Sequence, residues 1–157
     1  MNGFDWEYIP TVFDNTTIDH TAYNLQMRIT WWDTAAGNEY RDLLRSLSYH
    51  DTDLFVLFFS ISNRESFSGL AKWMEEVKPW SSPVLLAGTK SDLRKQDPTN
   101  QIPRAEIERE AQNLGVIGYV ECSAFQFTGI RGVVDAAITH LKEVKKKSKK
   151  HEKCKLM

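Results

Sequence analysis

The sequence predicts an α/β domain with a mainly parallel sheet, and three observations carry that prediction. Unbroken apolar runs occur at Leu54–Phe59 and Val84–Ala87, with a shorter one at Tyr119-Val120. Such runs suit central parallel strands covered on both faces. Between them lie apolar residues at helical spacing, and strands alternating with amphipathic helices give a parallel α/β sheet. Finally, the polar, chemistry-bearing residues follow the apolar runs, which is where such sheets place ligands.

Taken in order, Tyr23 to Trp31 alternates. Tyr23, Leu25, Met27, Ile29 and Trp31 fall on one face and Asn24, Gln26, Arg28 and Thr30 on the other, as in a half-buried strand. Phe67, Leu70, Ala71, Met74 and Val77 predict a helix, as do Ile107, Ala111 and Leu114. Arg94 to Pro103, with Pro98 and Pro103, reads as an exposed loop. Ile130, Val133, Val134, Ala137, Ile138, Leu141 and Val144 form the clearest helical stripe, and beyond Val144 the chain reads as disordered. Residues 1–144 are thus expected to form one domain and residues 145–157 a basic tail.

The 157 residues, 41% hydrophobic and 26% charged, suit one globular domain. A formal net charge of −1 argues against a general polyanion binder, so no nucleic-acid partner is expected. No apolar stretch approaches the roughly 18 residues of a membrane span, and the start, MNGFDWEYIP, lacks the blocks of a secretory signal. Cys122 and Cys154 show neither metal-ligand spacing nor a disulfide framework, and Cys122 reads as a buried small residue. A reduced, cytosolic protein is the expectation.

Four motifs occur in order: Tyr8-Ile9-Pro10-Thr11-Val12-Phe13-Asp14-Asn15, Trp32-Asp33-Thr34-Ala35-Ala36-Gly37, Gly88-Thr89-Lys90-Ser91-Asp92-Leu93 and Glu121-Cys122-Ser123-Ala124. Together they resemble the switch I, switch II, base-recognition and final base-contact motifs of Ras-superfamily GTPases. The first string and Ser48-Tyr49-His50-Asp51-Thr52-Asp53 are similar to the Rho type, and the resemblance runs from Asn2 to Met157.

The resemblance implies a P-loop NTPase-like G domain that binds GTP or GDP with Mg²⁺ as a signalling switch. It assigns nucleotide contacts to Phe4, Thr11, Ala36, Gly37, Thr89, Lys90, Asp92, Leu93, Ser123 and Ala124. Asp92 would accept hydrogen bonds from the guanine N–H and amino groups, a donor pair adenine lacks. Lys90 would lay its stem on the base, Phe4 would pack edgewise on the other side, and backbone near Ser123 and Ala124 would reach the guanine carbonyl. Thr11 and Asp33 would serve Mg²⁺, which prefers oxygen ligands. Tyr8, Pro10, Val12, Phe13, Asp14 and Asn15 would form the effector surface. The Trp31-Trp32 pair is expected to be half core and half exposed, the second position helping exchange factors choose partners.

The chain departs from the family in three places. No G-x-x-x-x-G-K-[ST] string, whose backbone and lysine cradle phosphates, occurs in the 157 residues. Alignment starts at Asn2-Gly3-Phe4, past the family's first strand, P-loop and helix, so the expectation is a G domain incomplete at its N-terminus. Without that strand, the Trp31 and Phe55 strands are expected to have unpaired inner edges; the expectation is either a poorly stable domain or a chain incomplete as written, with phosphate binding badly weakened in either case. Switch II reads Asp33-Thr34-Ala35-Ala36-Gly37-Asn38-Glu39. Either Gly37 or Asn38 stands where the family has its water-orienting glutamine, so hydrolysis is expected to be slow and no catalytic residue is assigned. The Rho-specific insert after the base motif is short, only Leu93 to Pro103 filling that region.

Cys154-Lys155-Leu156-Met157 fits a C-a-a-X prenylation signal at Cys154, and a terminal Met favours farnesyl. One lipid chain holds only marginally; the lysines from Lys142 to Lys153 would add attraction to an anionic leaflet. The expected partners are Rho-type effectors, exchange factors and GTPase-activating proteins, with the protein on the cytoplasmic face of membranes and a cytosolic pool. The rival readings are a nucleotide-free, membrane-tethered binding module and a truncated gene product.

Overall fold

A computed structural model describes residues 13–22, 25–34 and 48–154 of the chain. It divides into two compact units, Met1–Thr52 and Asp53–Met157.

In the first unit, β1 (Phe13–Ala22) and β2 (Leu25–Thr34) form an antiparallel pair. The register sets Ile18 opposite Ile29, Thr17 opposite Thr30 and Asp19 opposite Arg28. Each pair is chemically matched. The Thr17 and Thr30 hydroxyls lie 3.0 Å apart and Arg28 Nε donates to Asp19 Oδ1 at 3.2 Å, contacts that specify pairing more than they stabilise it. The alternation expected for β2 is present, with Met27, Ile29 and Trp31 half-buried and Gln26, Arg28 and Thr30 exposed. Trp32 is exposed beside half-buried Trp31. Strand β1 is not signalled by the sequence, because Asp14, Asn15, Thr16 and Asp19 give no apolar alternation. Its described side chains from Asp14 to Asp19 are all exposed.

The second unit is a three-stranded parallel sheet in the order β3 (Phe55–Ser60), β4 (Val84–Thr89), β5 (Gly118–Glu121). The helices are α1 (Arg64–Ser68), α2 (Leu70–Val77), α3 (Leu93–Gln96), α4 (Arg104–Leu114) and α5 (Ile130–Cys154). Strand β4 shows why an unbroken apolar run is needed. Leu86 packs on one face with Phe59, Ile61, Phe67 and Ile107, while Leu85 and Ala87 pack on the other with Val133 and Ala137 of α5. A strand covered on both faces cannot alternate polar with apolar.

The pattern expected around Phe67 to Val77 is two helices, not one. They meet at Gly69, whose N–H still bonds the Glu65 carbonyl at 2.9 Å, and Asn63 caps the first by accepting the Ser66 N–H at 2.9 Å. Arg94 to Pro103, expected to be an exposed loop, is exposed over much of its length but is not all loop. It contains most of α3 and a 3₁₀ turn at Pro98–Asn100, and it buries Gln101 and Ile102, the latter through its N–H on the Ile61 carbonyl at 2.8 Å. One buried isoleucine among polar neighbours leaves no periodicity to read. Past Val144, expected to be disordered, the backbone stays helical to Cys154. The lysines there are straight-chain residues of good helix propensity, and a helix already nucleated continues through them without an apolar stripe.

Candidate functional site

Parallel strands present their carboxyl ends side by side. The loops after β4 and β5, adjacent in the sheet, are therefore brought together by topology alone. The backbone joins them directly: the Cys122 N–H bonds the Gly88 carbonyl at 2.8 Å and the Ser91 N–H bonds the Cys122 carbonyl at 3.1 Å.

The loop after β4 turns sharply. Thr89 spends its hydroxyl on the Phe59 carbonyl at 3.0 Å, and Lys90 takes a left-handed φ of 61° with its side chain exposed. The Leu93 N–H closes the turn on the Lys90 carbonyl at 3.0 Å and opens α3. Asp92 is thereby placed at the start of α3 with its side chain buried. A buried carboxylate needs donors, and one comes from the loop after β5: Ser123 Oγ donates to Asp92 Oδ1 at 2.5 Å.

Ser123 is fully buried and held from several sides. Its N–H and carbonyl pair reciprocally with Thr128, at 2.8 and 3.0 Å, and its Oγ accepts the Gln126 N–H at 3.0 Å. This closed turn exposes Ala124, whose backbone N–H has no partner among the described residues. A fixed carboxylate acceptor and an available N–H donor thus sit on neighbouring loops. That donor–acceptor set suits the edge of a planar heterocycle carrying a carbonyl beside N–H groups, as guanine does. The resemblance assigns a role to the backbone of Ser123 only; that its hydroxyl holds Asp92 emerges from the geometry.

A charged network lies alongside. Arg94 of α3 makes a bidentate pair with Glu121, the last residue of β5, through Nε to Oε2 at 2.8 Å and Nη2 to Oε1 at 2.7 Å. The Tyr119 hydroxyl donates to the same carboxylate at 2.7 Å. Burial alone would raise the Glu121 pKa, but Arg94 and then Tyr119 outweigh it and hold the carboxyl below its usual range. Burial, followed by the bond to Glu121, pushes the Tyr119 phenol well above its ordinary value. The thiol of buried Cys122 is likewise pushed up by burial, which suits a packed small side chain and not a reactive one.

A carboxyl lowered in the folded state stabilises fully above its unfolded pKa, and that stabilisation is lost as pH falls through the folded value. Glu121→Gln is therefore expected to lower stability at neutral pH by about 2 kcal/mol. The deficit should be full above the ordinary glutamate value of about 4.3 and shrink as pH falls below it. Thermal unfolding of both chains across that range checks it; a deficit independent of pH would exclude the ion pair as its source.

The remaining residues assigned by resemblance are distributed as follows. Phe13, Asp14 and Asn15 open β1, and Asp33 lies in β2 opposite Asp14. Phe4, Tyr8, Pro10, Thr11, Val12, Ala36, Gly37 and Asn38 lie outside the described residues. Among the described residues no cluster of three or more His, Cys, Asp or Glu could hold a metal.

Comparison with known families matches residues 1–143 to the Ras family. The chain belongs to the Ras family. Its relatives place it with the Rho type. It is 36% identical to the Ras-like GTP-binding protein RhoL of Drosophila melanogaster over 159 aligned positions, covering 99% of this chain and 83% of the relative. It is 35% identical to the GTP-binding protein RHO1 of Candida albicans, over 94% of this chain and 80% of that protein. For this Rho-type small GTPase, guanine nucleotide and Mg²⁺ follow as family cofactors by resemblance. The acceptor at Asp92 and the donor at Ala124 are chemically compatible with the base of such a nucleotide.

Proposed function

We propose that this Rho-type chain is a guanine-nucleotide-dependent switch. The observation that carries the reading is buried Asp92, fixed by the Ser123 hydroxyl at 2.5 Å at the mouth of two adjoining loops. Its carboxylate takes the guanine N–H and amino donors, Ala124 N–H takes the guanine carbonyl, and the Lys90 stem covers a face of the ring. Thr11 and Asp33 would hold Mg²⁺, which would supply charge compensation for the nucleotide phosphates and so favour the ordered switch segments. The segment from Tyr8 to Asn15 then meets effectors, and exchange factors and GTPase-activating proteins act on the same switches. With Gly37 or Asn38 at the glutamine position, unaided hydrolysis is slow.

The test is calorimetric titration of GDP, GTP and ADP, each with Mg²⁺, into the 157-residue chain. Binding of both guanine nucleotides with none of ADP is expected. A folded chain that takes up neither guanine nucleotide would sink the reading.

The tail completes the proposal. Cys154 carries a prenyl group and the lysines before it meet an anionic leaflet, each contributing about 1 kcal/mol. The protein then partitions between the cytoplasmic face of membranes and a cytosolic pool. Farnesylated chain is expected to sediment with phosphatidylserine vesicles at low salt, to release at high salt, and to stay soluble as Cys154→Ser. Salt-insensitive sedimentation would count against the lysines, and sedimentation of Cys154→Ser against the lipid.

A further inference from the structure

We infer that Arg94 and Glu121 are positioning residues for base selectivity, holding the two base-reading loops at the separation that a guanine edge requires. The inference rests on the proposed role of Asp92. Its ground is an arrangement that the family resemblance did not assign.

Arg94 lies two positions after Asp92, and Glu121 two positions before Ser123. The bond between Ser123 and Asp92 is a single one, from one hydroxyl to one carboxylate oxygen, and it holds Oδ1 without by itself setting the separation of the two loops. Beside the backbone bonds that join the loops, the Arg94–Glu121 pair adds a side-chain attachment at their flanks, bidentate and therefore directional. The guanidinium cannot swing, because its Nη1 also donates to the Ile102 carbonyl at 3.0 Å. Glu121 is fixed in turn by the Tyr119 hydroxyl at 2.7 Å.

This network is tied to the core. The Tyr119 ring stacks on Phe59 with centroids 6.0 Å apart, and the Arg104 guanidinium lies 5.8 Å from its centroid. Gly88 admits the ring: a Cβ there would come within 2.6 Å of the Tyr119 hydroxyl. Among the described ion pairs this one is the most sheltered, its side chains 26% and 13% exposed against 60% and 51% for Arg104 and Glu108. A sheltered bidentate pair keeps its geometry where a surface pair does not. Recognition by two hydrogen bonds tolerates only a few tenths of an ångström of misplacement, so loosening the clamp should cost discrimination before it costs the fold.

The experiment compares guanosine diphosphate with inosine diphosphate, which lacks the amino group Asp92 reads, on the full chain with Mg²⁺. The wild type is expected to prefer the guanine nucleotide. In Arg94→Met that preference should fall by about tenfold, the value of one misplaced charge-assisted bond, and Arg94→Lys should restore part of it. A double variant, Arg94→Met with Glu121→Met, removes the unpaired buried charge. It should recover thermal stability without recovering selectivity. A purely structural role predicts instead that the preference is unchanged in Arg94→Met, or returns with stability in the double variant; either result overturns the clamp alone. A wild type with no preference for guanine over inosine overturns base reading by Asp92, and the clamp with it.

Discussion

Replacing Asp92 by Asn is expected to abolish guanine selectivity and transfer it to xanthine. Guanine presents an N–H and an amino group, two donors that a carboxylate accepts together. An asparagine offers one acceptor and one donor. Its oxygen is kept in place by the Ser123 hydroxyl, which donates to Oδ1 at 2.5 Å in the wild type. The amide nitrogen is then turned toward the base, where the guanine amino group repels it and the carbonyl oxygen of xanthine at the same ring position accepts from it. Losing bonds to a charged acceptor, each about 1.5–3 kcal/mol, predicts a fall in GDP affinity of at least about a hundredfold. Xanthosine diphosphate should gain by a similar factor. Thermal stability should change little, because the Ser123 hydroxyl keeps an acceptor. Paired titrations of both diphosphates into both chains check the result. Unchanged GDP affinity in Asp92→Asn would mean that the base is read elsewhere, or not at all.

That site is legible in part because its residues follow apolar strands. The runs at Leu54 and Val84 locate β3 and β4 by composition alone, and Thr89-Lys90-Ser91-Asp92 is found by its position after the second run. Contacts made by residues without a local pattern are another matter. Arg94 lies within a polar stretch that offers no periodicity, and its partner Glu121 is 27 residues away. Nothing in either neighbourhood signals the other. Strand β1 escapes for a related reason. Asp14, Asn15 and Asp19 are poor strand formers, and they extend because β2 offers matched partners along the hairpin, threonine to threonine and aspartate to arginine. Pairing across a hairpin overrides intrinsic propensity there. The helical backbone beyond Val144 shows the converse: the apolar stripe ends but the helix does not, because lysine-rich segments favour helix without needing a buried face.

Gly129 gives the second large effect, and it separates two reasons for which a glycine can be required. Its φ of 71° lies in the left-handed region, which costs a residue with a Cβ about 1–2 kcal/mol. It also faces backbone at close range. A Cβ there would overlap the Glu121 carbonyl oxygen and lie 2.9 Å from Cys122 Cα. Both are main-chain atoms, so no rotamer change relieves the clash, and the end of β5 must move with the segment that carries Ser123. Overpacking of this kind adds about 1–3 kcal/mol, so Gly129→Ala is expected to lose about 2–5 kcal/mol in all. That corresponds to a fall in Tm of about 10 °C for a chain of this size. Gly115 supplies the control: its φ is 68°, and nothing lies within 4 Å of a Cβ built there. Gly115→Ala should therefore lose the backbone part alone, and the difference between the two variants measures the close approach. Gly129→Ala should also weaken GDP binding beyond its loss of stability, since Glu121 and Ser123 shift together, whereas Gly115→Ala should leave binding unchanged. Equal unfolding temperatures for the two variants would show that β5 and the turn at Gly129 do not meet as described.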